Sequence, residues 1–83
     1  MSYAVNFSLE AVEEIMRITM ASPAKAAVIN ASKQLQEALK ENPADAGMHL
    51  SEGLYYIDCE PLRAFYAISA DERLVEVVNV KPI

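Results

Sequence analysis

The sequence predicts an α+β fold in which a two-helix hairpin packs on a curved antiparallel sheet, with the element order βααββββ. Two observations predict it: residues 9–41 carry apolar side chains at helical spacing, and residues 47–80 change to strand-like alternation. Neither layer buries its apolar side alone, so the helices are expected to cover one face of the sheet. We expect residues 1–83 to form a single domain, because 83 residues suffice for one core only.

The composition narrows the functional classes. Seven Lys and Arg against 12 Asp and Glu give a net charge of −5, which counts against nucleic-acid binding by overall charge but leaves a local basic patch open. A basic protein partner is easier to accommodate than RNA. No apolar run approaches the roughly 18–20 residues of a membrane span, and no secretory signal is evident. The single cysteine excludes an internal disulfide. We therefore expect a cytoplasmic protein.

The first strand and the first helix are predicted from the N-terminal third of the chain. Residues 3–7 alternate apolar and other side chains, which favours a short strand. Ser8 suits a helix N-cap, and Glu10 then lies in the first turn, where the helix dipole favours an acid. The helix runs from Leu9 to about Met20. Its core-facing positions are Ala11, Ile15 and Ile18, flanked by Leu9, Val12 and Met16.

The second helix is predicted to begin at Pro23, with Ser22 as its N-cap, and to end at Lys40 or Glu41 before Asn42-Pro43. Few residues join it to the first helix, so the two should form an antiparallel hairpin. Its predicted buried stripe consists of Ala27, Val28, Ala31, Leu35, Ala38 and Leu39.

The second half is predicted to form an antiparallel meander of four strands, because the turns between the alternating segments are short. The segments are 47–50, 54–60, 62–69 and 74–80. Alternation places one set of side chains towards the helices: Tyr55, Ile57, Cys59, Leu62, Ala64, Tyr66 and Ile68. The opposite set faces away from them: Leu54, Tyr56, Asp58, Arg63, Phe65 and Ala67.

The order of several segments resembles the RelE/ParE superfamily of bacterial toxins from type II toxin–antitoxin systems. These segments are 5–11, 39–43, 47–50, 53–57, 62–68 and 77–80. The resemblance implies a small RelE-like cytoplasmic toxin, associated with plasmid stabilisation and held inactive by a cognate antitoxin. RelE-like members cleave mRNA on the ribosome without a metal, and ParE-like members poison DNA gyrase. We therefore expect no cofactor, no bound metal and no association with a membrane.

Residue by residue, the resemblance points to one candidate catalytic side chain. Arg63 matches the family's arginine, which stabilises the charge that develops during RNA cleavage. Tyr56 and Asp58 stand where the family has a basic pair. Lys81 is the one basic residue where basic or histidine residues follow the last strand. The alternative is a non-catalytic interaction or dimerisation module on the same fold that has lost the basic site.

The residues of the open face admit two interpretations. In the first, Arg63 binds a phosphate or carboxylate and Tyr56 serves as a stacking platform. In the second, Arg63 pairs with Asp58 or Glu60 across neighbouring strands. Together with Tyr56, the side chains of Leu54 and Phe65 would form an apolar patch, which favours an interface. The interface prediction comprises Leu54, Tyr56, Asp58, Phe65 and Lys81.

Two further side chains are chemically notable. His49 has a side chain that titrates near neutral pH, but no nucleophile or carboxylate is tied to it by spacing, so a packing role is favoured. Cys59 is a nucleophile, a partner in an intermolecular disulfide or a small core side chain, and its acidic neighbours favour the core role. The acids Asp58, Glu60, Asp71 and Glu72 lack the spacing of a cation-binding loop.

Overall fold

Helices and strands follow the predicted order, with one short helix added before the meander. The computed structural model describes residues 2–83. Its elements are β1 (Ala4–Phe7), α1 (Leu9–Ala21), α2 (Lys25–Glu41), α3 (Pro43–Ala46), β2 (Met48–Ser51), β3 (Leu54–Cys59), β4 (Leu62–Ser69) and β5 (Leu74–Pro82). The predicted α+β class is confirmed.

The sheet has five strands in the order β1-β5-β4-β3-β2. Strands β2 to β5 pair antiparallel with their neighbours in sequence, as the meander prediction requires. Strand β1 pairs in parallel with β5, so that Ala4 lies beside Leu74 and Phe7 beside Val77. The first and last strands are therefore neighbours, and β1 and β2 form the two edges. The sheet is thus mixed, and the predicted antiparallel arrangement holds for β2 to β5 only.

The predicted N-cap of α1 is confirmed, and the cap also ties the helix to the sheet. The hydroxyl oxygen of Ser8 accepts a hydrogen bond from the backbone N–H of Ala11 at 3.1 Å. The same hydroxyl donates to the carbonyl oxygen of Val78 in β5 at 3.0 Å. The backbone N–H of Ser8 donates to the carbonyl oxygen of Val77 at 2.9 Å. Ser8 thus joins the start of α1 to the last strand.

Replacing Ser8 by alanine is expected to lower the free energy of unfolding by about 1–2 kcal/mol, because the N-cap bond and the bond to Val78 are both lost. Urea denaturation measures the change. The control is Ser51→Ala, since Ser51 is exposed and its side chain makes no hydrogen bond within residues 2–83. Equal destabilisation by both substitutions would contradict the bridging role of Ser8.

The predicted start of α2 is wrong by two residues. The helix begins at Lys25 with Ala24 at the N-cap, not at Pro23 with Ser22. The hydroxyl oxygen of Ser22 instead accepts a hydrogen bond from the backbone N–H of Ala24 at 3.0 Å, which stabilises a local turn. Residues 22–24 are needed to reverse the chain between the two helices, so they are not part of the second one.

The core lies between the helical hairpin and one face of the sheet. On α2, the predicted residues Val28, Ala31, Leu35 and Leu39 are buried, Ala38 is half-buried, and Ala27 is exposed, which corrects the predicted stripe at that one position. The sheet contributes Ile57, Leu62, Ala64, Tyr66, Val75, Val77 and Val80 to the buried cluster. The opposite face of the sheet carries no helix, and this open face contains the candidate site.

Strand β5 contains a bulge that changes which of its side chains reach the open face. Phe65 lies opposite Asn79, but the next residue, Tyr66, lies opposite Val77, so Val78 is an extra residue. Beyond the bulge the alternation is shifted by one. Lys81 therefore lies opposite Arg63 on the open face rather than among the core valines.

Candidate functional site

The six candidate residues lie on three neighbouring strands of the open face. In β3 and β4, Tyr56 lies opposite Phe65 and Asp58 lies opposite Arg63. Directly opposed residues of an antiparallel pair point to the same side of the sheet. Leu54 follows the same alternation at the start of β3, and Lys81 joins the group from β5. The topology thus brings together all the residues that were proposed from the sequence.

Arg63 is engaged by a carboxylate of the same chain. Its Nε lies 2.6 Å from Oδ1 of Asp58, and its Nη2 lies 2.9 Å from Oδ2. This is a two-point hydrogen-bonded ion pair between a guanidinium and a carboxylate. Of the two interpretations of Arg63, the cross-strand pairing is the one that the structure contains, and its partner is Asp58 rather than Glu60.

Two aromatic rings lie next to the ion pair. The guanidinium carbon of Arg63 lies 4.7 Å from the centre of the Tyr56 ring, within the range of a cation–π contact. The rings of Tyr56 and Phe65 are tilted at 38°, with their centres 6.5 Å apart. The row from Asp58 through Arg63 and Tyr56 to Phe65 is therefore continuous. We call it the Arg63 row.

The charges of the Arg63 row stabilise each other. The hydrogen bond from Arg63 lowers the pKa of Asp58, and the hydrogen bond to Asp58 raises the pKa of Arg63. Both groups are therefore ionised throughout the neutral pH range. Because the positive and negative charges cancel, the row presents no net charge to a ligand.

A shallow depression of about 320 Å³ lies beside the row. Its walls are mainly apolar and are formed by Leu54, Phe65, Val78, Asn79 and Lys81. The ammonium of Lys81 makes no ion pair within residues 2–83. The depression therefore combines mainly apolar walls with one positive charge that forms no ion pair in the described range. This arrangement suits the binding of another protein.

The open face lacks a histidine for acid–base chemistry next to Arg63. His49, the single histidine of the sequence, lies opposite Tyr55 in the β2–β3 pair and therefore points to the other side of the sheet. Its ring meets the Tyr55 ring edge-on, with the centres 5.1 Å apart. The packing role predicted for His49 agrees with this contact.

Cys59 lies on the helix-facing side of β3, half-buried against the core. Burial is the main cause that raises the pKa of its thiol, and the negative charge of Asp58 raises it further. The thiol is therefore protonated at neutral pH and is a poor nucleophile. The core role predicted for Cys59 agrees with this environment.

The side chains and helices of residues 2–83 bear on metal binding and on membrane insertion. Within residues 2–83, no three or more His, Cys, Asp or Glu side chains come together as a metal-binding group. None of the helices in the same range combines the length and the hydropathy that crossing a membrane requires.

A second exposed apolar surface lies on α1, and the sequence analysis did not identify it. Leu9, Val12, Met16 and Met20 follow one another at helical spacing, and Leu9 and Met20 are 73% and 77% exposed. We call these four side chains the α1 stripe. The signal in the sequence was that α1 is apolar on more than one side, whereas a helix covering a sheet needs a single apolar stripe.

Comparison with known proteins gives a clear result for structure and none for sequence. No protein-family model matches the chain, and no curated protein sequence matches it. Solved structures match over almost its whole length. A chain of the toxin–antitoxin complex RelBE2 from Mycobacterium tuberculosis has a TM-score of 0.81 and 18% sequence identity, covering 99% of this chain and 92% of that one.

Two further structures extend the comparison. A mutant of the Escherichia coli toxin RelE in the free state has a TM-score of 0.74 and 21% identity, covering 99% of this chain and 84% of that one. A chain of the chromosomal ParDE toxin–antitoxin system of Pseudomonas aeruginosa has a TM-score of 0.71 and 11% identity, covering 98% and 96%. The chain therefore has the RelE/ParE fold, which confirms the resemblance at the level of the fold.

Proposed function

We propose that the protein is the toxin component of a type II toxin–antitoxin system, located in the cytoplasm. In this proposal it inhibits growth by acting on translation or on DNA gyrase, and a cognate antitoxin neutralises it. The observation that carries the proposal is the similarity of fold to the free RelE toxin and to chains of the RelBE2 and ParDE systems, which extends over nearly the whole chain.

The exposed apolar surfaces support a protein partner. A small protein rarely exposes a contiguous row of large apolar side chains unless another molecule covers it. The α1 stripe exposes such a row, with Met16 at its centre 57% exposed. The depression beside the Arg63 row provides a second apolar surface, on the sheet face that carries no helix. An antitoxin and a target would therefore each have a surface to contact.

The roles assigned to the individual residues follow from the Arg63 row. Arg63, neutralised by Asp58, would offer its remaining N–H donors to uncharged acceptors of the target such as backbone carbonyl oxygens, and Leu54, Tyr56 and Phe65 would supply the buried contacts around it. Tyrosine and arginine are the side chains most often found at the centre of such contacts. Asp58 would orient Arg63, and Lys81 would add a positive charge at the rim.

Induced expression in a bacterium tests the proposal. Expression of the wild-type chain is expected to stop growth, and Arg63→Ala is expected to relieve the arrest. The matched control is Lys33→Ala, because Lys33 is exposed on α2, carries the same charge and makes no ion pair within the described range. The control variant is expected to stop growth as the wild type does.

The same experiment has a contradicting outcome. Harmless expression, together with purification of the chain as a homodimer, would favour the alternative of a non-catalytic dimerisation module. Co-purification with a small protein encoded by a neighbouring gene would support the proposal, because the RelBE2 structure that this chain resembles is a toxin–antitoxin complex.

A further inference from the structure

The Asp58 carboxylate occupies the position in which Arg63 would hold an external anion. A guanidinium binds carboxylates and phosphates in the same way, through two parallel N–H···O bonds. In this chain both bonds go to Asp58, at 2.6 and 2.9 Å. A phosphate that approached this edge of the guanidinium would have to displace the carboxylate, and one that approached the remaining Nη1–Nη2 edge would be repelled by its negative charge.

The surroundings of Arg63 would otherwise suit a phosphate and its attached base. The Tyr56 ring lies under the guanidinium at 4.7 Å, and exposed aromatic rings stack readily on nucleic-acid bases. Lys81 lies opposite Arg63 in the β4–β5 pair and adds a second cation. The guanidinium of Arg63, the ammonium of Lys81 and the ring of Tyr56 are thus adjacent. The negative charge of Asp58 neutralises one of the two positive charges.

The backbone holds Asp58 in this position. Strands β3 and β4 pair continuously from Leu54 and Ala67 to Cys59 and Leu62, and the Asp58–Arg63 pair lies inside that stretch. The register therefore keeps the two residues directly opposite each other, and the bond at two points fixes the orientation of the Arg63 guanidinium. Both side chains are nevertheless more than one third exposed, so a substitution at Asp58 can be made without opening the core.

We propose that Asp58 acts as an internal ligand of Arg63 and so closes the open face to ligands that bind through phosphate groups. Asp58 is then the residue that determines the chemical class of ligand that this face accepts. The inference rests on the proposed function only in its consequence for growth arrest: a toxin with this face would not bind its target through a phosphodiester group at Arg63. The site itself is defined by the side chains alone.

Measurement of RNA binding by the purified chain tests this inference. The probe is a fluorescently labelled single-stranded oligouridylate, followed by fluorescence anisotropy at several salt concentrations. Asp58→Asn is expected to bind it about tenfold more tightly than the wild type, because one more cation becomes available to a phosphate. The plot of log affinity against log salt concentration is expected to become steeper by about 0.7.

The matched control is Glu60→Gln, which changes the net charge by the same amount. Glu60 is exposed in the β3–β4 turn and makes no ion pair in the described part of the chain. Its substitution is expected to change the affinity by less than about twofold, because only the overall charge of the protein is altered. Adding Arg63→Ala to Asp58→Asn is expected to return the affinity to the wild-type value.

Two outcomes would overturn the inference. One is equal tightening by Asp58→Asn and Glu60→Gln, which would reduce the effect to net charge. The other is no tightening by Asp58→Asn, provided that circular dichroism shows a folded variant; Asp58→Ala supplies a second test of the same position. Since binding is measured on the purified chain, its failure leaves the growth assay unaffected, and harmless expression leaves the binding result unaffected.

Discussion

Replacing Gly47 by alanine is expected to lower the free energy of unfolding by about 3 kcal/mol, because the site has no room for a methyl group. A Cβ atom there would lie closer than 3.0 Å to the carbonyl oxygen of Tyr56 and to the hydroxyl oxygen of Tyr66. The first of these oxygens belongs to the backbone of β3 and cannot rotate away. Gly47 itself has extended backbone angles, so the expected cost comes from the collision alone.

Gly53 provides the matched control for this substitution. It lies in the turn between β2 and β3 with a φ of +70°, and a Cβ atom at this position would meet nothing within 4 Å. Gly53→Ala is therefore expected to cost only about 1 kcal/mol, through the left-handed backbone conformation. Urea denaturation of both variants measures the difference. Equal costs would show that the close approach at Gly47 is not the cause.

Replacing Tyr66 by alanine is expected to cost about 3–5 kcal/mol, which is the range for removing a large aromatic ring from a core. Tyr66 is completely buried, and its ring stacks on that of Tyr55 with the centres 5.5 Å apart. The free energy of unfolding of a small domain is typically about 5–15 kcal/mol. We therefore expect the variant to be largely unfolded on heating well below the wild-type midpoint, as circular dichroism would show.

Tyr66→Phe separates the ring from the hydroxyl. The hydroxyl donates a hydrogen bond to the carbonyl oxygen of Pro43 at 2.7 Å, and losing this bond is expected to cost about 1–2 kcal/mol. Burial raises the pKa of Tyr66 to about 12 from its ordinary value of 10.0. The neutral phenol therefore stabilises the folded state fully below pH 10, and this contribution is lost as the pH rises from 10 to 12.

Urea titrations at neutral pH and at a pH above 10 test this sign. The midpoint of the wild type is expected to fall more steeply with pH than that of Tyr66→Phe, which has no phenol at this position. Parallel decreases in the two proteins would contradict the assignment of the alkaline loss of stability to Tyr66.

The layers of this fold were predictable because each depends on a local pattern. Helical spacing identified the two long helices, alternation identified β2 to β5, and Ser8 marked the start of α1. The parallel pairing of β1 with β5 was not predictable, since partners 70 residues apart leave no local signal. Ser22-Pro23 misled the prediction of α2 because the same residue types form caps and turns.

The site was predictable in its membership and less so in its geometry. Alternation placed four side chains on the face that the helices leave open: Tyr56, Asp58, Arg63 and Phe65. Pairing with a carboxylate on the neighbouring strand was one of the two interpretations of Arg63. Alternation alone would have placed Lys81 with the core valines, because the extra residue Val78 has no distinguishing composition. The α1 stripe was missed because an isolated sequence does not tell which apolar side of a helix meets the sheet.

The pairing of the first strand with the last also determines when the chain can complete its structure. While the protein is being synthesised, residues 4–7 emerge well before their partner strand, residues 74–82. Helix α1 also depends on this strand, because Ser8 anchors the start of the helix to Val77 and Val78. A nascent chain therefore keeps residues 4–7 undocked until residues 74–82 have been synthesised, and contacts this distant in sequence slow folding. We expect any polypeptide that stops before residue 74 to lack the native arrangement, however well its helices form.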